Sequence, residues 1–168
     1  LKFPGPSTWI GIESSSNERS VPCNDAIVRH CYLGDGRWGW GGVKIGKGAM
    51  CQRLTFDDLI VRNANQGFYV SECADSTFHR LDIESLGDSH LSHALYVSDY
   101  LTDLTFTDCI FTAKPGWAGH FYNGYFASDP ASMNRRVTVS GCTFDGRGGG
   151  KCIVFVGGWE DVTFTDCT

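Results

Sequence analysis

"LTFTDCIFT", Leu104 to Thr112, returns near the end of the chain as "VTFTDCT", Val162 to Thr168, and in weaker form as "VTVSGCTFD", Val137 to Asp145. Taken as a template with inward-type residues at offsets 0, 2, 5 and 7, it fits six segments. They are Ala26, Val28, Cys31, Leu33; Leu54, Phe56, Leu59, Val61; Ser76, Phe78, Leu81, Ile83; Leu104, Phe106, Cys109, Phe111; Val137, Val139, Cys142, Phe144; and Val162, Phe164, Cys167. Alternation spells a strand. The step of three between offsets 2 and 5 predicts a bend that turns a second short strand onto a new face.

A second alternating run precedes most copies: "VKIG" at Val43, "FYVS" at Phe68, "LYVS" at Leu95, "FYNG" at Phe121 and "IVFV" at Ile153. Each unit then holds about three short strands, and the unit length of roughly 27 residues suits a solenoid. Helical repeats of that length need an apolar period near 3.6, and these segments alternate instead. The Leu and Asn signature of leucine-rich repeats is absent. The pattern predicts an all-β fold, a single-stranded parallel β-helix of about six coils forming one domain over residues 1–168.

Units of G-[apolar]-Y-V-S followed by [L/V]-T-F-T-D-C-x-F resemble the right-handed parallel β-helix proteins of the pectate-lyase-like superfamily, from about Ile10 to Thr168. The resemblance implies a right-handed solenoid. It leaves function open among lyases, hydrolases, epimerases, tailspikes and adhesins. Such stacks need capped ends, and the sequence shows no amphipathic capping helix. Together with the absence of an initial Met, this leads us to expect a piece of a longer chain, stacked on further coils or assembled as a homotrimer.

Composition narrows the partners. The net charge of −5 and the lack of a basic run argue against nucleic acid. No apolar run approaches the roughly 20 residues of a membrane helix, so no membrane partner is expected. "LKFPGPSTW" has neither the basic start nor the apolar core of a signal peptide. The family resemblance implies an extracellular, cell-surface or virion-surface setting.

Eight cysteines are sorted by the register. Cys31, Cys109, Cys142 and Cys167 share offset 5 with Leu59 and Leu81, which marks an interior column of small apolar groups. Cys23, Cys51 and Cys73 each stand three residues before their repeat and form a second column at a turn. Neighbours in a column lie about 4.8 Å apart, within disulfide reach. Bridges Cys23–Cys51 or Cys51–Cys73 therefore stand open beside the free-thiol reading. No C-x-x-C pair suggests zinc.

With the interior packed, chemistry belongs to outward strand positions and long turns. On the upstream strand the outward row reads Lys44, Tyr69, Tyr96, Tyr122 and Val154, with Ser71 and Ser98 two residues on. Three tyrosines on successive coils predict an aromatic platform edged by hydroxyls, suited to a glycan. The alternative is a purely structural ladder. Turns beginning at Gly34, Glu84, Thr112 and Asp145 bring Arg37, Trp38, Trp40, Asp88, His90, His93, Lys114, Trp117, His120 and Arg147 to one rim. The expected substrate-binding set is Lys44, Tyr69, Tyr122, Trp38, Trp40, Trp117, Lys114 and His90. The expected catalytic set is His93 and His120 for proton exchange near neutral pH, with Tyr96 as partner acid.

No enzyme signature accompanies these residues. Outward Asp residues do not cluster beside an Arg as in calcium-dependent lyases, so no cofactor or metal is expected; calcium stays open, without a clear ligand cluster. Asp57 and Asp58 lie away from the rim, and "AGHF" lacks the second Gly of a G-H-G element. The expected function is binding of a polysaccharide along the Tyr/Trp/His face, with cleavage or epimerisation. The competing readings are a structural or adhesive β-helix and a lectin-like module. A groove blocked by the 125–136 loop would count against catalysis.

Overall fold

The computed structural model describes residues 2–4, 10–12, 22–34, 42–46, 48–87 and 89–168. The described chain is all-β. One sheet runs in the order β1 (Lys2–Pro4), β3 (Ile27–Gly34), β6 (Thr55–Ala64), β8 (Cys73–Ser85), β10 (Leu101–Thr107), β13 (Asn134–Ser140) and β16 (Trp159–Thr165). Beside that path lie β5 (Cys51–Gln52), β11 (Ile110–Ala113) and β14 (Thr143–Asp145). The other sheet runs β2 (Ile10–Ile12), β4 (Val43–Ile45), β7 (Phe68–Val70), β9 (Leu95–Ser98), β12 (Trp117–Tyr122) and β15 (Lys151–Val156). Strand pairing is parallel throughout the described ladders, and the chain alternates between the two sheets. Among the described residues two 3₁₀ turns lie between the strands, Pro130–Ser132 and Arg147–Gly149. Among the described residues no helix is long and apolar enough to cross a membrane.

The pairing register is the one the template predicts. Phe56 pairs with Val28 on one side and Phe78 on the other; Phe106 joins Phe78 to Val139, and Val139 pairs with Phe164. Their inward rings stack along the axis, Phe56–Phe78 at 5.9 Å and Phe78–Phe106 at 4.6 Å between centroids. Each fully buried ring contributes roughly 2–3 kcal/mol of hydrophobic stabilisation.

The bend at the step of three has a definite backbone cause. His30, Asp58, Arg80, Asp108, Gly141 and Asp166, all at offset 4, have φ between 49° and 60°. One left-handed residue there flips the alternation, so offset 5 points inward again. A second left-handed residue stands immediately before each copy: Asp25, Arg53, Asp75, Asp103, Arg136 and Asp161. Asp, His and Gly tolerate this region better than other residues, which explains their recurrence at these places. The arginines there pair with the carboxylate at the same place one repeat earlier, Arg53 Nε donating to Asp25 at 2.6 Å and Arg136 Nε to Asp103 at 2.6 Å.

Both cysteine columns are present. Cys31, Cys109 and Cys142 are buried, and Cys51 pairs with Cys73 across β5 and β8. All eight thiols are free. Beside β15 and β16, Phe155, Gly157, Trp159, Val162 and Phe164 line a hollow of about 460 Å³.

Candidate functional site

The outward row on the second sheet differs from its expected composition. Tyr69 pairs with Tyr96 as predicted, but Tyr96 pairs with His120, and Tyr122 pairs with Ser98. The row therefore reads Lys44, Tyr69, Tyr96, His120, Val154, and the three-tyrosine ladder is displaced by two residues on β12. Gly119 is the cause. It takes the inward position that Phe68, Leu95 and Ile153 fill on the paired strands. An added Cβ at Gly119 would meet the Phe144 ring at 2.8 Å and the Phe121 ring at 3.1 Å. Phe144 fills the space from the opposite side, so aligning apolar residues by type mis-sets β12.

A second row lies three residues upstream. The Gly67 N–H donates to the His93 carbonyl and the Ala94 N–H to the Trp117 carbonyl, which brings Gln66, His93 and Trp117 into line on neighbouring segments. The site is thus two rows of three, Gln66–His93–Trp117 beside Tyr69–Tyr96–His120.

All of these but Trp117 line one open cleft of about 530 Å³, joined by Leu91, Ser98, Asp99 and Tyr122. The rings are packed against one another instead of presenting bare faces. Tyr69 and Tyr96 stack at 5.2 Å, His93 stacks on Tyr96 at 5.4 Å, and His120 meets Tyr96 edge-on at 4.9 Å. Ring edges, hydroxyls, imidazole nitrogens, the Gln66 amide and the Asp99 carboxylate are what the cleft offers. The Tyr69 hydroxyl lies 3.2 Å from the Ser98 hydroxyl.

His93 is 2% exposed, and both of its ring nitrogens are engaged. The Trp117 N–H donates to its Nδ1 at 3.2 Å, and its Nε2 lies 3.0 Å from Nδ1 of His120. Burial, followed by the neighbouring His120 and His90, lowers the His93 pKa to about 4; burial lowers that of His120. Burial also pushes the Tyr96 phenol up, with Tyr69, Asp99 and Tyr122 adding to it. At neutral pH both imidazoles are uncharged and Tyr96 keeps its proton.

Of the predicted residues, His93, His120, Tyr96, Tyr69 and Tyr122 line the cleft. Trp117 opens β12 beside it, tilted against His120 at 6.2 Å, and Lys151 Nζ sits 4.5 Å over the indole. Lys44 is one strand beyond Tyr69. His90 is exposed on the turn before His93, and Lys114 reaches toward Gly148, outside the lining. Trp38 and Trp40, with Arg37 and Asp88, lie outside the described residues. Gln66, Leu91 and Asp99 were missed. The shared spacing of three between Gln66 and Tyr69, His93 and Tyr96, and Trp117 and His120 was the signal for the first of them. The lining includes no residue of the 125–136 loop, and among the described residues no group of three His, Cys, Asp or Glu is arranged to hold a metal ion.

Comparison of the chain with protein-family models, curated proteins and solved structures gave no match.

Proposed function

We propose that the chain is a right-handed parallel β-helix of the pectate-lyase-like type, and that it binds a polysaccharide along the outer face of β7, β9 and β12. Supporting the architecture are the alternation of the chain between two sheets, the strand order that follows the sequence in each, and the strong right-handed preference of parallel crossovers. The observation that carries the binding reading is the open cleft spanning three successive strands, edged by phenol and imidazole groups. An extended polymer lying along that face would meet Tyr69, Tyr96 and His120 in turn, one on each strand. A setting at a cell or virion surface goes with this reading.

Binding without cleavage fits the cleft better than catalysis. Glycoside hydrolysis ordinarily needs two carboxyl groups flanking the bond, and Asp99 is the lone carboxylate among the described lining residues. A second reading, cleavage by elimination, draws on uncharged His120 and protonated Tyr96 lying side by side, and it requires the His120 tautomer whose Nε2 is unprotonated. His93, fully engaged, would position His120 in either case.

Affinity electrophoresis against a panel of acidic and neutral polysaccharides, with absorbance of unsaturated uronate and a reducing-end assay on the same samples, tests both readings. Retardation by a polymer without product, reduced in Tyr96→Ala, is the expected result. Product formation would establish the eliminating or hydrolytic reading, and indifference to every polymer would end both.

A further inference from the structure

We propose that the cleft selects a neutral, hydroxyl-bearing sugar over a uronate, with His120 Nε2–H as donor and the side-chain carbonyl of Gln66 as acceptor. The inference rests on the glycan-binding reading above and adds the class of sugar.

The donor follows from the direction of a hydrogen-bond chain. A backbone N–H can only donate, so the Trp117 amide, 3.2 Å from Nδ1 of His93, makes that nitrogen an acceptor. The single proton of neutral His93 then sits on Nε2. That proton is given to Nδ1 of His120 across 3.0 Å, which leaves the proton of neutral His120 on its own Nε2. This nitrogen has no protein partner among the described residues. An added proton would place two N–H groups face to face at one of the two bonds, so the network itself resists charging, as burial does.

The acceptor is fixed in the same way. Gln66 Nε2 donates to the Leu91 carbonyl at 2.6 Å, which settles the orientation of the amide. Its Oε1 is buried with no hydrogen-bond partner. A buried carbonyl left unpaired costs about 1–3 kcal/mol; Gln66 lines the cleft, and a small shift of its amide would bring Oε1 to a ligand hydroxyl there.

Charge decides between sugar classes. No Lys or Arg lines the cleft among the described residues, while Asp99 does, its Oδ1 accepting the Gly124 N–H at 2.9 Å. The remaining titratable groups facing the imidazole pair are Tyr69, Tyr96 and Tyr122, with His90 on the adjoining turn. The nearby ammonium groups are those of Lys44, beyond Tyr69, and Lys151, over the Trp117 ring. A uronate would meet the Asp99 charge with no cation in the lining to offset it. A sugar hydroxyl both donates and accepts, matching Gln66 and His120 together.

The test is titration calorimetry and affinity electrophoresis with dextran, galactomannan and mixed-linkage β-glucan, against alginate and polygalacturonate, at low and high salt. The expected result is binding of at least one neutral polymer, unchanged by salt because no ion pair is made, and no binding of the acidic ones. Acidic polymers bound in preference and released by salt would overturn the inference while leaving the glycan reading intact. Failure of all five would remove both. Gln66→Met and His120→Phe should each weaken neutral binding about tenfold, the equivalent of one lost hydrogen bond, and His120→Gln should restore part of it. Nitrogen-15 shifts of the imidazoles supply a readout independent of any variant. Nδ1 of His120 should be unprotonated and Nε2 protonated, and the opposite tautomer would overturn the proposal.

Discussion

Acid should unfold this protein partly through His93. Its imidazole titrates near 6.5 in the unfolded chain and at about 4 in the fold. Between those values the unfolded state binds the proton more readily, so stability falls as pH falls. The contribution is whole above the unfolded value and gone once the solution is below the folded one. At about 1.4 kcal/mol per pH unit of displacement, the loss is about 1.4 kcal/mol at about pH 5.5 and about 2.5 kcal/mol at about pH 4.5. Because His93 is 2% exposed, solvent screening does not reduce these figures much. Other groups also titrate in acid. Arg53 holds the Asp25 carboxyl low, His30 that of Asp58, and Arg136 that of Asp103. A comparison with His93→Gln removes them, since both proteins carry them. Urea denaturation at about pH 7.5, 5.5 and 4.5 should show the natural protein losing about 2.5 kcal/mol more than the variant across the range. Curves that stay parallel would refute the reasoning, and with it the view that the imidazole pair is held uncharged.

Phe106, fully buried and stacked on Phe78, should cost about 3–5 kcal/mol when cut to Ala, measured by urea midpoint. Gly141 has φ of 60° and an added Cβ would sit 2.5 Å from Asp108 Oδ1, so Gly141→Ala should cost about 1–2 kcal/mol by the same measurement. The thiols should sort by place: Cys152 is exposed, Cys23 and Cys167 half-buried, and the rest buried. Burial pushes the Cys73 thiol up to about 12, and the hydrogen bond with Cys142, with burial behind it, raises that of Cys109. Iodoacetamide without reductant should label Cys152 first in the native protein and all eight thiols after denaturation, read by mass spectrometry; fewer than eight in the denatured sample would mean disulfides.

Inward positions were legible in the sequence because a parallel ladder repeats the same constraint at every strand. The template assigns Phe56, Phe78, Phe106 and Val139 to one column, and they are paired neighbours. The bend at offset 4 was legible as a spacing, though its left-handed backbone was not, since Arg80 occupies that conformation alongside Asp and Gly. The site was read less well. His93, His120 and Tyr96 do meet, but their arrangement depends on Gly119 lying in an inward row. Nothing in a list of residue types says that Phe144, from another strand, will fill the vacancy. The role of Gln66 was hidden as well, because an unpaired carbonyl is a property of surroundings and not of residue type.

That exchange between Gly119 and Phe144 reaches beyond packing. A strand has two sides and one register, so whatever fixes the inner side also chooses which side chain is offered outside. Here a phenylalanine ring on the far wall decides that an imidazole, and not a phenol, stands next to Tyr96. Recognition at the surface can therefore change without any substitution in the cleft, through a trade of volume between two interior positions.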